Sequence, residues 1–208
     1  SVSTPLKGLK IVVDCANGAS SVVGPQAYEK AGATVFAIHH SPDGWNINED
    51  CGSTHLEDLQ ARVVAEGADF GIAHDGDADR CLAVDAQGNI IDGDAIMTIL
   101  GRGFKERGAL KSNTIVGTVM SNLGFMQAMK EAGIEVITTA VGDRYVLEKM
   151  LEGDFSLGGE QSGHLIMREF ANTGDGILTA LQLAQEVVLT KKSLADLAAT
   201  MKRFPQVL

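Results

Sequence analysis

Two short phrases recur in this chain in the same order, and they constrain its fold more than anything else in it. Lys30-Ala-Gly-Ala-Thr-Val is echoed by Glu131-Ala-Gly-Ile-Glu-Val, and Glu66-Gly-Ala-Asp-Phe is echoed by Glu152-Gly-Asp-Phe. Ahead of each echo lie a strand, a small-residue turn and a helix. Alternation of strands with helices implies parallel pairing through right-handed crossovers. The 208 residues suffice for two modest cores. The expected fold class is α/β: two similar tandem α/β domains, each a mostly parallel mixed sheet flanked by helices, divided as 1–91 and 92–208.

Local patterns fill in the elements. Leu9 to Cys15 is an apolar run that predicts a buried strand. Ser20 or Ser21 can cap a helix that runs to about Ala31, where Gly32 stops it. Thr34 to Ile38 predicts a second strand, and His39 to His55 a long polar loop, a kind usually tied to function. Leu56 to Glu66 reads as a helix with Leu56, Leu59, Val63 and Val64 on one face. A strand around Phe70 follows, then a hairpin of Cys81 to Asp85 with Ile90-Ile91 about a turn at Ala86-Gln-Gly-Asn. In the second half, helices are expected at Asp94 to Arg107, Ser121 to Ala132 and Asp143 to Glu152, the last capped by Asp143. Strands are expected at Thr114 to Val119, Glu135 to Ala140, Phe155 to Gly158 and His164 to Met167. Asn172 or Thr173 opens a long helix to about Leu189, and Ser193 caps a final one to Lys202.

In each half a special loop follows the third strand. Ligands of open α/β sheets bind beyond the carboxyl ends of strands, so both loops are expected to face one cleft. The first is His74-Asp75-Gly76-Asp77-Ala78-Asp79-Arg80. Three carboxylates at alternate positions suit a hard divalent cation, Mg2+ first. A calcium loop of the EF-hand kind fails, because Arg80 stands where its glycine belongs and Ala86 where its glutamate belongs. An aspartate nucleophile of a phosphatase is an alternative, although Cys81 occupies the place of the usual Thr or Val. Arg80 either pairs with a carboxylate or reaches a phosphate with its fork of donors. The second loop is Gly158-Gly-Glu-Gln-Ser-Gly-His. Glu160, Gln161, Ser162 and His164 offer the donors and acceptors that sugar hydroxyls need; a plain polar turn is the other reading. Arg144 faces solvent or reaches the cleft. His39, His40 and His55 read as surface residues, and Trp45 as an anchor of its loop.

The net charge of −10 argues against nucleic acid or an anionic membrane as the main partner. Cys15, Cys51 and Cys81 form no paired motif, which fits a reducing, cytoplasmic setting. No signal peptide and no apolar run of about 18 residues is present. A chain running from Ser1 to Phe204-Pro-Gln-Val-Leu is expected to be a piece of a larger protein.

Taken together, Asp75-Gly-Asp-Ala-Asp-Arg and Gly159-Glu-Gln-Ser-Gly-His resemble the loops of the α-D-phosphohexomutases. Asn46-Ile-Asn-Glu-Asp-Cys-Gly-Ser-Thr-His and Val141-Gly-Asp-Arg-Tyr, with Gln161, are most similar to bacterial members that act on glucosamine phosphate. The resemblance covers nearly the whole chain. It implies the second and third of four domains, with the phosphorylatable serine and the phosphate-binding loop in domains outside this sequence. It implies that Asp75, Asp77 and Asp79 bind Mg2+ together with that phosphoserine, and that Arg80 and His164 serve the transfer. Glu160, Gln161, Ser162, His164 and Arg144 would contact a hexosamine phosphate. The implied reaction interconverts glucosamine 6-phosphate and glucosamine 1-phosphate through a bisphosphorylated intermediate, and the chain alone is expected to be inactive. Related phosphomannomutase or phosphoglucomutase activity, a Mg2+-dependent sugar phosphatase with Asp75 or Asp77 as nucleophile, and a sugar-binding module are the alternatives.

Overall fold

The computed structural model describes residues 4–206. The first sheet has the order β2-β1-β3-β4-β5. Its strands are β1 (Lys10–Asp14), β2 (Thr34–Ile38), β3 (Phe70–Ala73), β4 (Leu82–Asp85) and β5 (Ile90–Ile91). β1 lies parallel to both β2 and β3, and β3, β4 and β5 run antiparallel in succession. The second sheet repeats the plan as β7-β6-β8-β9, from β6 (Thr114–Thr118), β7 (Glu135–Thr139), β8 (Leu157–Gly159) and β9 (Leu165–Met167). β6 is parallel to β7 and β8, and β8 is antiparallel to β9. Both halves are therefore mixed α/β sheets with a parallel centre, as the repeat predicts.

The crossover helices are α1 (Ser20–Lys30) and α2 (Glu57–Glu66) in the first half, and α4 (Leu123–Glu131) and α5 (Asp143–Glu152) in the second. α3 (Gly93–Glu106) joins the halves, and α6 (Gly176–Thr190) and α7 (Leu194–Ala198) close the chain. α3 is buried at Ile96, Met97, Ile99, Leu100 and Phe104, which covers more than one face. Such a helix needs partners all round, and α3 has them in α4, α6 and α7. α6 also packs against α1. One apolar cluster consequently runs from Ile11, Tyr28, Phe70 and Ile72 through Ile96 and Leu100 to Leu183.

Several caps differ from expectation. Ser20 and Ser21 lie inside α1, and their hydroxyls donate back to the Cys15 and Gly18 carbonyls. α5 begins after Gly142, with no side-chain cap from Asp143. α6 is capped by Asp175, whose carboxylate accepts from the Leu178 amide at 2.9 Å. Asn172 and Thr173 precede the helix because Gly174 is still bridged to Ile166 of β9. α4 likewise begins after Asn122 rather than at Ser121. Val64 is exposed, so the buried face of α2 is Leu59 and Val63 with Leu56. α7 ends at Ala198, short of Lys202.

Candidate active cleft

β3 is wholly buried and ends by delivering the acidic loop. The His74 amide donates to the Asp14 carbonyl of β1 (3.0 Å), and the His74 carbonyl accepts from the Ser53 amide (2.9 Å). The loop then turns tightly. The Ala78 amide donates to the Asp75 carbonyl, and Ala78 adopts a left-handed φ of +63°, a conformation that costs a non-glycine residue free energy. Gly76 has no space for a side chain: a Cβ there would stand 2.7 Å from Asn48 Nδ2 and 2.8 Å from Ile47. The result brings one carboxylate oxygen from each of Asp75, Asp77 and Asp79 within 4.8 Å of the others.

Three like charges at that separation repel unless a cation joins them. Arg80 supplies part of the compensation, with Nε 3.7 Å from Asp75 Oδ2 and 3.9 Å from Asp79 Oδ1. Burial first, then the Asp75 and Asp77 charges, hold the Asp79 carboxyl above the usual range; His164 and Arg80 oppose them. Asp79 Oδ1 is buried without a hydrogen-bond partner.

The second loop, Glu160 to His164, is pinned from three sides. The Gly93 amide at the start of α3 donates to the Gln161 carbonyl (3.0 Å), and the Cys81 amide at the start of β4 donates to the Gly163 carbonyl (3.0 Å). The Gly142 amide ahead of α5 donates to Glu160 Oε1 (2.9 Å). Gly163 has φ of +95° and sits where a Cβ would be 2.5 Å from the Cys81 carbonyl oxygen, so only glycine fits without strain. Arg80 and His164 form an antiparallel bridge, and His164 Nε2 lies 3.5 Å from Asp79 Oδ2. The two loops run side by side.

They flank an open cleft of about 550 Å3 lined by Arg80, Glu160, Gln161 and Ser162 together with Leu82, Ile90, Asp92, Thr118, Met120, Val141 and Arg203. The Asp75, Asp77 and Asp79 trio sits beside Arg80, just outside that lining. His164 is only 5% exposed, wedged between Asp79 and Gly174 at the seam of the loops rather than open to the cleft. Arg144 is not brought in: its guanidinium pairs with Glu148 one turn along the exposed face of α5, at 2.8 Å. A short i,i+4 partner on the same helix captures a long side chain more readily than a distant loop.

Asp92, Thr118 and Arg203 went unseen in the sequence. Asp92 caps α3 through the Ala95 amide, and its other oxygen lies 3.7 Å from Arg203 Nη2. An Asp ahead of an apolar helix signals the cap, but nothing in the sequence signals Arg203. Also missed was a fully buried pair behind the acidic loop, Tyr28 and His74, whose Oη and Nε2 are 2.8 Å apart. Burial lowers the His74 pKa, which keeps the ring neutral.

Comparison with known proteins agrees with the fold. Residues 2–88 match the family model for phosphoglucomutase/phosphomannomutase, alpha/beta/alpha domain II, and residues 92–204 match that for domain III. The chain is 63% identical over 203 residues to phosphoglucosamine mutase of Rhodococcus jostii, covering 98% of this chain and 46% of that protein. It is 63% identical over 204 residues to phosphoglucosamine mutase of Bifidobacterium animalis subsp. lactis, covering 98% and 45%. The chain thus spans about half the length of the curated relatives it matches. Among solved structures, a phosphoglucomutase/phosphomannomutase family protein of Burkholderia thailandensis superposes with a TM-score of 0.85 at 26% identity, over 93% of this chain and 43% of that one. Aspergillus fumigatus N-acetylphosphoglucosamine mutase, solved with GlcNAc-6P and magnesium, shares the fold with a TM-score of 0.74 at 20% identity, over 97% and 52%.

Proposed function

The chain belongs to the phosphoglucomutase/phosphomannomutase family, and from that premise we propose that it forms the two central domains, 1–91 and 92–208, of a phosphoglucosamine mutase. The whole protein would interconvert glucosamine 6-phosphate and glucosamine 1-phosphate. The observation that carries this reading is that the Arg80–His164 bridge sets the carboxylate trio beside the Glu160-Gln161-Ser162 loop, with Arg80 reaching from the trio into the cleft that this loop lines.

The acidic loop fits Mg2+. Its donors are all oxygen, they converge within 4.8 Å, and Asp79 Oδ1 is a buried acceptor without a partner; hard cations with carboxylate ligands satisfy such a set. Asp75, Asp77 and Asp79 would hold the ion, which when bound supplies positive charge against the phosphoryl oxygens. Catalysis of phosphoryl transfer is mostly positioning and charge neutralisation. Arg80, between the carboxylates and the cleft, would point its remaining N–H donors at the phosphoryl group. Glu160 has one oxygen fixed by the Gly142 amide, which leaves the other to accept from a sugar hydroxyl or the amino group. Ser162 and Gln161 would complete that recognition. His164, buried at the seam, would hold Asp79 in place from behind the cleft. The phosphorylated serine would come from the portion of the relatives outside these residues, so the chain alone is expected not to turn over. The three free cysteines suit the cytoplasm, and no helix among the described residues is long and apolar enough to cross a membrane.

Titration calorimetry tests the reading. Mg2+ binding is expected in the unaltered chain and lost when Asp75, Asp77 and Asp79 are all replaced by Asn. Glucosamine phosphate binding is expected to weaken on Glu160→Ala. Sugar binding indifferent to the triple replacement would point instead to a plain sugar-binding module. Phosphate release from a sugar phosphate by the chain alone would point to a phosphatase.

A further inference from the structure

We propose that His74 and Tyr28 are positioning residues for the acidic loop, through one defined tautomer of the imidazole; this deepens the reading above and rests on it. His74 Nδ1 lies 3.0 Å from the Arg80 carbonyl oxygen. A carbonyl only accepts, so Nδ1 carries the proton. The neutral ring then presents Nε2 as an acceptor, and the Tyr28 hydroxyl, 2.8 Å away, donates to it. Both side chains are fully buried. Their ring planes are 8° from parallel with centroids 6.3 Å apart, the end-to-end arrangement that the Oη–Nε2 hydrogen bond requires. Tyr28 thereby selects the tautomer that His74 needs in order to hold Arg80.

One residue fixes both ends of the loop. The His74 backbone is tied to Asp14 and Ser53, and its side chain is tied to the residue after the third aspartate. Between those anchors lie all three candidate ligands. The second domain closes the arrangement, since the Gly176 amide at the start of α6 donates to the Ala78 carbonyl at 2.9 Å. Gly176 abuts the pair directly: a Cβ there would overlap the Arg80 carbonyl and stand 2.8 Å from His74 Nδ1. Groups behind a metal site that orient its ligands commonly change affinity about 10- to 100-fold when removed. A histidine that merely satisfies its own buried nitrogens would change stability and leave affinity alone.

The test uses the 208-residue chain, with Mg2+ calorimetry, melting and an imidazole 1H–15N spectrum. The spectrum is expected to show His74 protonated at Nδ1 and bare at Nε2; the opposite tautomer overturns the proposal. Tyr28→Phe is expected to weaken Mg2+ about tenfold, and His74→Leu about 10- to 100-fold. His74→Asn, whose amide N–H can stand in for Nδ1–H, is expected to restore most of the affinity. Lowered melting temperatures with Mg2+ affinity unchanged in Tyr28→Phe and His74→Leu overturn it. If His74→Leu does not fold, the spectrum and Tyr28→Phe still decide. Absence of Mg2+ binding in the unaltered chain refutes the metal reading and this inference together. Binding that is indifferent to both replacements refutes this inference alone.

Discussion

The ends of β1 and β6 occupy the same place in the two sheets but turn the chain by different means. At the end of β1, Asp14 accepts from the Ala16 amide and the Gly52 amide, each at 2.9 Å. At the end of β6, Thr118 Oγ1 accepts from the Met120 amide at 3.3 Å. Each side chain receives the amide two residues on, a local turn that Asp and Thr both support. Only the carboxylate has a second oxygen to give, and it uses that oxygen to tie the long 39–55 loop beneath the acidic loop. Burial raises the Asp14 pKa, and the two amides and His39 hold it down. At these two strand ends, then, the first domain turns on a buried carboxylate with both oxygens hydrogen-bonded, and the second on a neutral hydroxyl. A shared backbone plan leaves the loops free to diverge.

Asp94 is a fully buried carboxylate of the second domain, and it offers the largest test. Its Oδ2 accepts from the Asn122 amide at 2.6 Å, but Oδ1 is buried without a partner. Burial, with a smaller push from Asp92, raises its pKa to about 6. The folded value lies above the unfolded one, so the associated stability is present at low pH and lost as pH rises from about 4 through about 6. A shift of that size corresponds to about 3 kcal/mol. Asp94→Asn is expected to flatten the decline, measured by denaturant unfolding between pH 4 and pH 7. An unchanged slope would break the contrast between a fully satisfied and an unsatisfied buried carboxylate.

Two glycines at the seam sharpen the comparison next. A Cβ at Gly176 would overlap the Arg80 carbonyl, and one at Gly93 would overlap the Glu160 carbonyl. Each replacement by Ala is expected to cost about 2 kcal/mol, typical of forcing atoms into a packed interior. Gly176→Ala should weaken mainly Mg2+ binding, and Gly93→Ala mainly sugar phosphate binding. Equal losses of both ligands in both variants, read by calorimetry, would mean that the loops act as one. The smallest effect is expected from Arg144→Ala, which removes a partner of Glu148 on a solvent-facing helix. Exposed pairs of this kind contribute little, so melting temperature and sugar phosphate affinity should not move.

Much of this molecule is legible in its sequence because its strands are short apolar runs, and four of them, β2, β5, β6 and β7, begin where the pattern predicts. The two loops are legible because their chemistry is packed into consecutive residues. Features that depend on distant partners are not. Tyr28 and His74 are 46 positions apart, and no local pattern joins them. Arg203 meets Asp92 only because α7 brings the chain back over α3. Asp175 caps α6 in place of Asn172 because the chain turns back after β9 and Gly174 is bridged to Ile166, which delays the first helical residue to Gly176. Arg144 belongs to a matching motif, yet a nearer carboxylate holds it.

The apolar cluster that passes from β1 through α3 into α6 has a consequence for how the two loops stand to each other. Domains joined by small polar surfaces swing freely, whereas a continuous dry interior binds them into one body. The acidic loop and the Glu160 loop therefore stand at a fixed spacing, like two marks on a ruler. On the proposed chemistry, a sugar carrying two phosphates has to present first one end and then the other to the same mark. With the floor rigid, such a reversal is made by the ligand and not by the two loops moving apart.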